Sequence, residues 1–310
     1  MLFIYNYSQV NVVTQSLSAA SFSSNVDRPV RHQRILGEKG ESVFIMRLQG
    51  FLLYGTAENL LSEIRARLFS TELPPLRFVI LDWRRIIGID QSAVNSLRRM
   101  RRLAREHHFA LVFTDLSAGV RDQLHRGGMG DQEMNIFHIF GDLDHGLEWC
   151  EEETLKSEED SSPDEQISMQ EQLKMLWDGN PDFGGFLSFF ERNEVPEQTE
   201  LVKQGEPSDS LVFIESGEVS VLLELDTGRS VRLRRMGAGT VVGEVGFFQE
   251  SLRTATVVTE KACVYYRLTN DGLKKLEEDP VMARSFHNLI IQIMSERLTK
   301  YNRTLQAILD

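Results

Sequence analysis

One stretch of the chain holds residue types that can do chemistry together. Between Met236 and Val258, glycines recur at 237, 239, 243 and 246, Glu244 stands inside that run, and Arg253-Thr254-Ala255-Thr256 closes it. Glycine lets a backbone turn tightly and approach a ligand closely. Backbone N–H groups at the mouth of a short helix form a concave anion site. An arginine folded back over that site supplies a planar, permanently charged fork for a phosphate. A carboxylate only accepts hydrogen bonds, so Glu244 suits a sugar hydroxyl and repels bare phosphate. Together these parts describe a pocket for a ribose bearing one phosphate.

The flanking elements must hold this stretch in place. Gly205-Glu-Pro-Ser-Asp209 reads as a hairpin turn, and Ser210 to Leu223 as two strands about a turn at Ser216-Gly217. Asp226-Thr-Gly228 turns again, and Ser230–Arg235 returns as a strand. Two helices, Glu165–Trp177 and Phe183–Glu191, are expected before β structure from about Val195. After the roll, Asn270 or Asp271 is expected to cap a short helix that Asp279-Pro280 ends. A long helix is then predicted from Val281 to Leu309, with Phe286, Leu289, Ile290, Ile293, Met294, Leu298 and Leu305 at helical spacing.

The stretch resembles the phosphate-binding cassette of the cyclic nucleotide-binding family, whose pattern is Phe-Gly-Glu-(Leu/Ile)-Ala-Leu, a short turn, then Pro-Arg-Ala/Thr-Ala-Thr. Gly243-Glu244 matches the Gly-Glu core, and Arg253 follows Glu244 at the family spacing. The pattern Gly205…Asp209…Leu211-Val-Phe-Ile…Gly217 is also typical of that family's β-roll, and the likeness spans roughly 180–310. The resemblance implies that Glu244 holds the ribose 2′-hydroxyl and Arg253 the exocyclic phosphate oxygens. Backbone N–H groups around Gly243, Val245, Gly246 and Thr254 would complete the cradle. Val242, Gly246 and Leu252 stand where the family usually has Phe, Ala and Pro. None of these departures removes a charged contact. Thr254 occurs at this place in both cGMP- and cAMP-binding members, so the ligand is read as cAMP or cGMP. The long final helix implies a lid over the base or a pairing of two subunits as a homodimer. The residues after it are too few for the DNA reader of catabolite activators, so no nucleic-acid partner is expected.

The first half alternates strands and helices. Strands are predicted at Ser42–Leu48, Gly50–Gly55, Arg77–Trp83, Phe109–Thr114 and Ile136–Phe140. Helices are predicted from Thr56 to Phe69, from a cap at Asp90 to His107, over Ser117–Arg126, and from Asp142 to Leu155. Ser16 to Arg31 reads as a polar turn segment, and residues 2–13 as a strand or extended lead-in. The runs Leu48–Ala57, Leu81–Val94 and Phe140–Cys150, with Tyr5–Val13 and Ser24–Arg28, resemble the STAS family as found at the cytoplasmic tail of SulP-type anion (sulfate) transporters. The family's phosphorylatable Ser or Thr directly after the switch Asp is replaced by Gln91. Ser92, one place later, is the modification candidate, and Asp90 reads as a helix cap. Arg98, Arg101, Arg102 and Arg105 share one helix face, read first as solvated and second as a basic patch toward lipid or an acidic partner.

The expected organisation is an α/β STAS domain over 1–155, a sheet with packed helices. An acidic linker over 156–166 follows, then a mainly-β cyclic nucleotide-binding β-roll with flanking helices over 167–310. The net charge of -12 is uneven: residues 1–150 hold 17 basic and 16 acidic side chains, and 151–310 hold 17 and 30. An acidic second half argues against general nucleic-acid binding there. Two distant cysteines, Cys150 and Cys263, suit buried thiols in a reducing compartment. The seven histidines form no metal-ligand spacing with them, and no Walker loop, nucleophile elbow or paired catalytic acids occur, so no cofactor, metal or enzyme activity is expected. No apolar run reaches the ~18 residues of a membrane span, and the glycines at 127, 128 and 130 read as a loop. The resemblances imply a non-enzymatic regulator, cytoplasmic and at the inner membrane face. It would bind a cyclic nucleotide and signal to a SulP-type membrane domain or another signalling protein. The alternative is a STAS interaction or phospho-switch module whose β-roll no longer binds.

Overall fold

The computed structural model describes residues 12–28, 30–129, 136–159, 168–176, 183–226 and 228–309. The chain divides into two compact units. The residues up to Ser24, Arg34–Asp160 and Arg303–Asp310 form one, and Asn25–Gln33 with Ser161–Asn302 form the other. In chain order come β1 (Val13–Ser18), β2 (Val26–Asp27) and α1 (Val30–Lys39). Next are β3 (Val43–Leu52), α2 (Tyr54–Leu68), β4 (Phe78–Ile89), α3 (Gln91–Glu106) and β5 (Ala110–Thr114). Then α4 (Ala118–Leu124), β6 (Phe137–Phe140) and α5 (Leu143–Glu159) follow.

In the first unit the strand order is β1-β3-β4-β5-β6, with β1 antiparallel to β3 and the remaining pairs parallel. A parallel sheet covered on both faces needs continuous apolar strands. Accordingly all of β5 is buried. Its Leu111 and Phe113 join Leu60, Ile64, Leu97 and Met100 from α2 and α3 in one cluster. Its Ala110 and Val112 join Leu147 and Cys150 of α5 in another. This is the expected α/β layer.

Several details depart from the sequence reading. Ser16–Ser18, expected as turn, complete β1, where Leu17 pairs with Ile45. Residues 30–39, where the sequence shows no clear regular element, are helical. β3 continues through Gly50 instead of dividing there. Thr56 does not cap α2 from outside. It lies in the first turn, where its hydroxyl accepts from Leu53 N at 2.9 Å and donates to Leu53 O at 3.0 Å. Asp90 is the expected cap, accepting from Ala93 N at 2.6 Å. The glycine stretch breaks helical geometry at Gly128, at φ +73°, and Gly130 lies outside the described residues. Helix α5 runs on to Glu159, into the stretch expected as linker. Its buried Glu151 accepts from the Ser24 N–H at 2.8 Å and hydroxyl at 2.5 Å. The lead-in before Val12 and residues 160–167 of the linker lie outside the described residues.

The second unit continues with α6 (Met169–Leu176), α7 (Phe183–Leu187), β7 (Glu191–Val195), β8 (Glu200–Val202), β9 (Ser210–Ser216), β10 (Val219–Glu224) and β11 (Ser230–Met236). It ends with β12 (Val241–Val242), α8 (Glu244–Gln249), β13 (Thr256–Thr259), β14 (Cys263–Thr269), α9 (Asn270–Glu277) and, as far as Asn302, α10 (Pro280–Leu309). Two sheets, β2-β11-β10-β13-β8 and β12-β9-β14-β7, make the β-roll. Val212, Ile214, Val219, Met236, Val257 and Cys263 fill it. A second cluster, including Phe186, Phe213, Phe247, Leu276, Phe286 and Leu289, joins the helices to the roll.

Here too the sequence misplaced some ends. The polar run Glu191–Val195, expected partly as helix, is a largely exposed strand beside β14. Such a strand has no apolar period to reveal it. Thr269 caps α9 in place of Asn270 or Asp271, accepting from Gly272 N at 3.2 Å. The described part of the Glu165–Trp177 helix is α6 alone. Both cysteines are buried thiols, and burial pushes each thiol pKa up. No helix among the described residues is long and apolar enough to cross a membrane.

A charged tie closes the turn between β9 and β10. Burial pushes the Glu218 carboxyl pKa up, but Lys261, at 2.6 Å, and Arg235 outweigh it and hold the pKa below the ordinary 4.5. A depressed carboxyl stabilises the fold above its unfolded pKa and loses that contribution as pH falls through the folded one. Glu218→Gln is therefore expected to lower stability by about 1 kcal/mol at pH 7. The gap should narrow in urea unfolding repeated progressively below pH 4.5. A gap constant with pH contradicts the assignment.

Candidate functional site

Helix α8 is short and lies between β12 and β13. Gly243 precedes it at φ +82°, a left-handed conformation that disfavours any side chain. Its carbonyl accepts from Arg253 Nη1 at 3.1 Å, and a Cβ built on it would lie 2.6 Å from that same nitrogen. The glycine is thus what lets the guanidinium come so close. Gly246, where the related cassette has alanine, has a similar cause. A Cβ there would lie 2.7 Å from Ser208 Oγ.

Arg253 is set by two loops stitched together. Its N–H donates to Glu206 O at 2.8 Å, its carbonyl accepts from Gly205 N at 2.9 Å, and Leu252 bridges to Pro207. The side chain is 5% exposed. Nη2 reaches Ser210 Oγ at 3.2 Å and Asp209 Oδ1 at 3.5 Å. Burial pulls its pKa down and Asp209 acts against that. The first N–H groups of a helix have no partner within the helix, so those of α8 face outward from its start.

Glu244 opens α8 and is 6% exposed. Its carboxylate accepts from Arg297 Nη1, while Arg297 Nη2 donates to Val241 O at 2.6 Å. A cavity of about 340 Å³ lies beside these groups. That is the lower end of the range for small-molecule sites. Gly243, Glu244, Val245, Gly246, Arg253 and Thr254, all six predicted from the sequence, line it. Thr254 is exposed on its wall. Val221, Leu233, Met236, Met294 and Leu298 give the remainder an apolar surface suited to a planar base. Ser92 takes no part in this cavity. It is exposed in the first turn of α3, in the other unit.

The sequence reading missed two lining cations. Arg297 continues the apolar row Ile290, Ile293, Met294 on α10, and a charge in such a row was the available signal. Arg234 interrupts nothing recognisable in β11, yet it also lines the cavity. Of the basic row on α3, Arg99, which was not placed on the shared face, turns inward to a two-pronged pair with Glu58.

Gly243→Ala is expected to cost at least about 1 kcal/mol from backbone strain, and to displace Arg253 as well. Chemical denaturation measures the loss, and an unchanged midpoint contradicts this packing.

Residues 35–146 match the family model for the STAS domain, and residues 192–279 match that for the cyclic nucleotide-binding domain. The chain thus carries a STAS domain followed by a cyclic nucleotide-binding domain. Among curated relatives, it is 24% identical over 159 residues to the vacuolar basic amino acid transporter of Saccharomyces cerevisiae, covering 49% of this chain and 15% of that one. It is 30% identical over 122 residues to the CRP-like protein Clp of Xanthomonas campestris, covering 38% and 53%. The chain therefore spans about half of the regulator's length or less of these relatives. Among solved structures, a cyclic nucleotide-binding domain from Methylobacillus flagellatus is 23% identical, with TM-score 0.39, over 46% of this chain and 82% of that one. The regulatory domain of Toxoplasma gondii PKA with cAMP is 19% identical, with TM-score 0.32, over 37% and 45%.

Proposed function

We propose that this chain is a non-enzymatic regulator that binds a cyclic mononucleotide, cAMP or cGMP, in the second unit and signals through its STAS domain. The supporting observation is the convergence of Glu244 and Arg253 on one cavity at the start of α8, inside the region matched to the cyclic nucleotide-binding domain. In this reading the phosphate meets the N–H groups of α8 and the Arg253 fork, the 2′-hydroxyl donates to Glu244, and the base rests on the apolar wall. A ligand shifts a conformational equilibrium only through its different affinity for the two states. Helix α10 supplies such a difference, since Arg297, Met294 and Leu298 on it line the cavity.

The signalling partner proposed is the membrane domain of a SulP-type anion transporter, or another signalling protein, reached at the inner face of a membrane. Support comes from the STAS match and from the transporter relative. Homodimerisation through α10 belongs to the same reading, with Ile291 and Leu298 each 61% exposed on it. A second reading keeps the STAS domain as an interaction or phospho-switch module, with Ser92 as the modified residue, and takes the roll as structural. Arg297 already standing on Glu244 favours it. Phosphate on Ser92 in native protein, read by mass spectrometry, supports that reading.

Titration calorimetry with cAMP and cGMP separates the two. One nucleotide is expected to bind saturably, and Arg253→Ala to weaken it about 10- to 100-fold through loss of a charge-assisted contact. No heat at millimolar nucleotide, or equal affinity in the variant, contradicts the binding reading.

A further inference from the structure

A largely buried ion cluster lies against the cavity, and one of its members comes from far off in sequence. Residues 25–33 group with the second unit. There β2 adds a parallel strand to β11, pairing Val26 with Arg235 and Asp27 with Met236, and Arg235 N donates to Asn25 O at 3.0 Å. Val26 is buried. The Asp27 carboxylate accepts from Arg234 Nη1 at 2.6 Å, with side chains 14% and 10% exposed. The same Oδ2 lies 3.7 Å from Arg297 Nε. Arg297 is therefore shared: its Nη1 holds Glu244, while its Nε faces Asp27.

We infer that residues 25–28 form a strap whose docking on the β-roll is coupled to nucleotide through Arg297. The inference rests on the binding reading above. A carboxylate withdrawn from water binds its charged partner strongly, and both carboxylates draw on one guanidinium. A ribose hydroxyl arriving at Glu244 supplies that carboxylate with another donor. Arg297 then shifts its weight toward Asp27, closes the 3.7 Å gap, and tightens β2 against β11. Asp27 acts through Arg297 and touches no ligand, so it is a positioning residue. Because the strap is continuous with Arg34 and the chain that follows, its tightening gives the occupied cavity a covalent lead toward the STAS domain. Linkage requires the reverse effect as well: a docked strap must raise nucleotide affinity by the same factor.

Hydrogen exchange on the full chain tests this, read at residues 25–28 and at 243–254. Saturating cAMP or cGMP is expected to slow exchange at both segments, with the strap slowed about fivefold or more. Asp27→Asn is expected to weaken nucleotide binding by a similar factor, about fivefold. Slowing at 243–254 with residues 25–28 unchanged overturns the strap and leaves nucleotide binding standing. A ligand-free arm uses Glu244→Gln, which releases Arg297 to Asp27 and is expected to slow exchange at 25–28 without nucleotide. Unchanged or faster exchange there overturns the sharing of Arg297 whatever the nucleotide does. No change at either segment with either nucleotide overturns the binding reading and the nucleotide coupling together. The Glu244→Gln arm then reports on Arg297 alone.

Discussion

A guanidinium and a carboxylate, both withdrawn from water, must be held facing one hollow without collapsing onto each other. The second unit meets that constraint by giving each a different partner. Arg253 is tied back to Ser210, Asp209 and the Gly243 carbonyl, and Glu244 is tied to Arg297. Burying an unpaired charge is costly, so each tie is a condition for the side chain to be there at all. The same ties keep the pair apart, and a cavity remains between the apolar wall and the start of α8. Polar groups fixed before a ligand arrives lose little freedom on binding it.

The rest of the unit serves this arrangement. The β-roll gives α8 a fixed platform through Phe247, which packs in the cluster with Phe213 and Phe286. Loops 205–210 and 250–254 are stitched by backbone hydrogen bonds, so Arg253 is aimed by main chain and not by its own long side chain alone. Helix α10 packs through Phe286, Leu289 and Ile290, then sends Arg297 into the site. The helix that completes the core is thus also the one that supplies the partner of Glu244.

The cassette was legible because its information is local: a glycine needed at positive φ, an acid beside it, and an arginine a fixed distance on. Strands buried on both faces, such as Ala110–Thr114, were equally plain from their apolar runs. What stayed hidden depends on distant partners. Glu191–Val195 is polar and finds its strand only beside β14. Residues 16–31 hold a strand, a second short strand and the start of a helix, but their few apolar side chains show no period. Arg297 is hard to single out because the apolar row on α10 speaks for packing alone. Asp27 could not have been found, since its partners Arg234 and Arg297 lie about 200 residues or more away.

The central claim is that Glu244 receives a ribose hydroxyl in the hollow that Arg253 closes. The most direct measurement compares a cyclic nucleotide with its 2′-deoxy analogue, by calorimetry, on the natural chain and on Glu244→Gln. The account predicts that loss of the hydroxyl weakens binding to the natural chain about tenfold or more, and that the penalty shrinks toward nothing in the variant. Equal affinity of the natural chain for both nucleotides would contradict it.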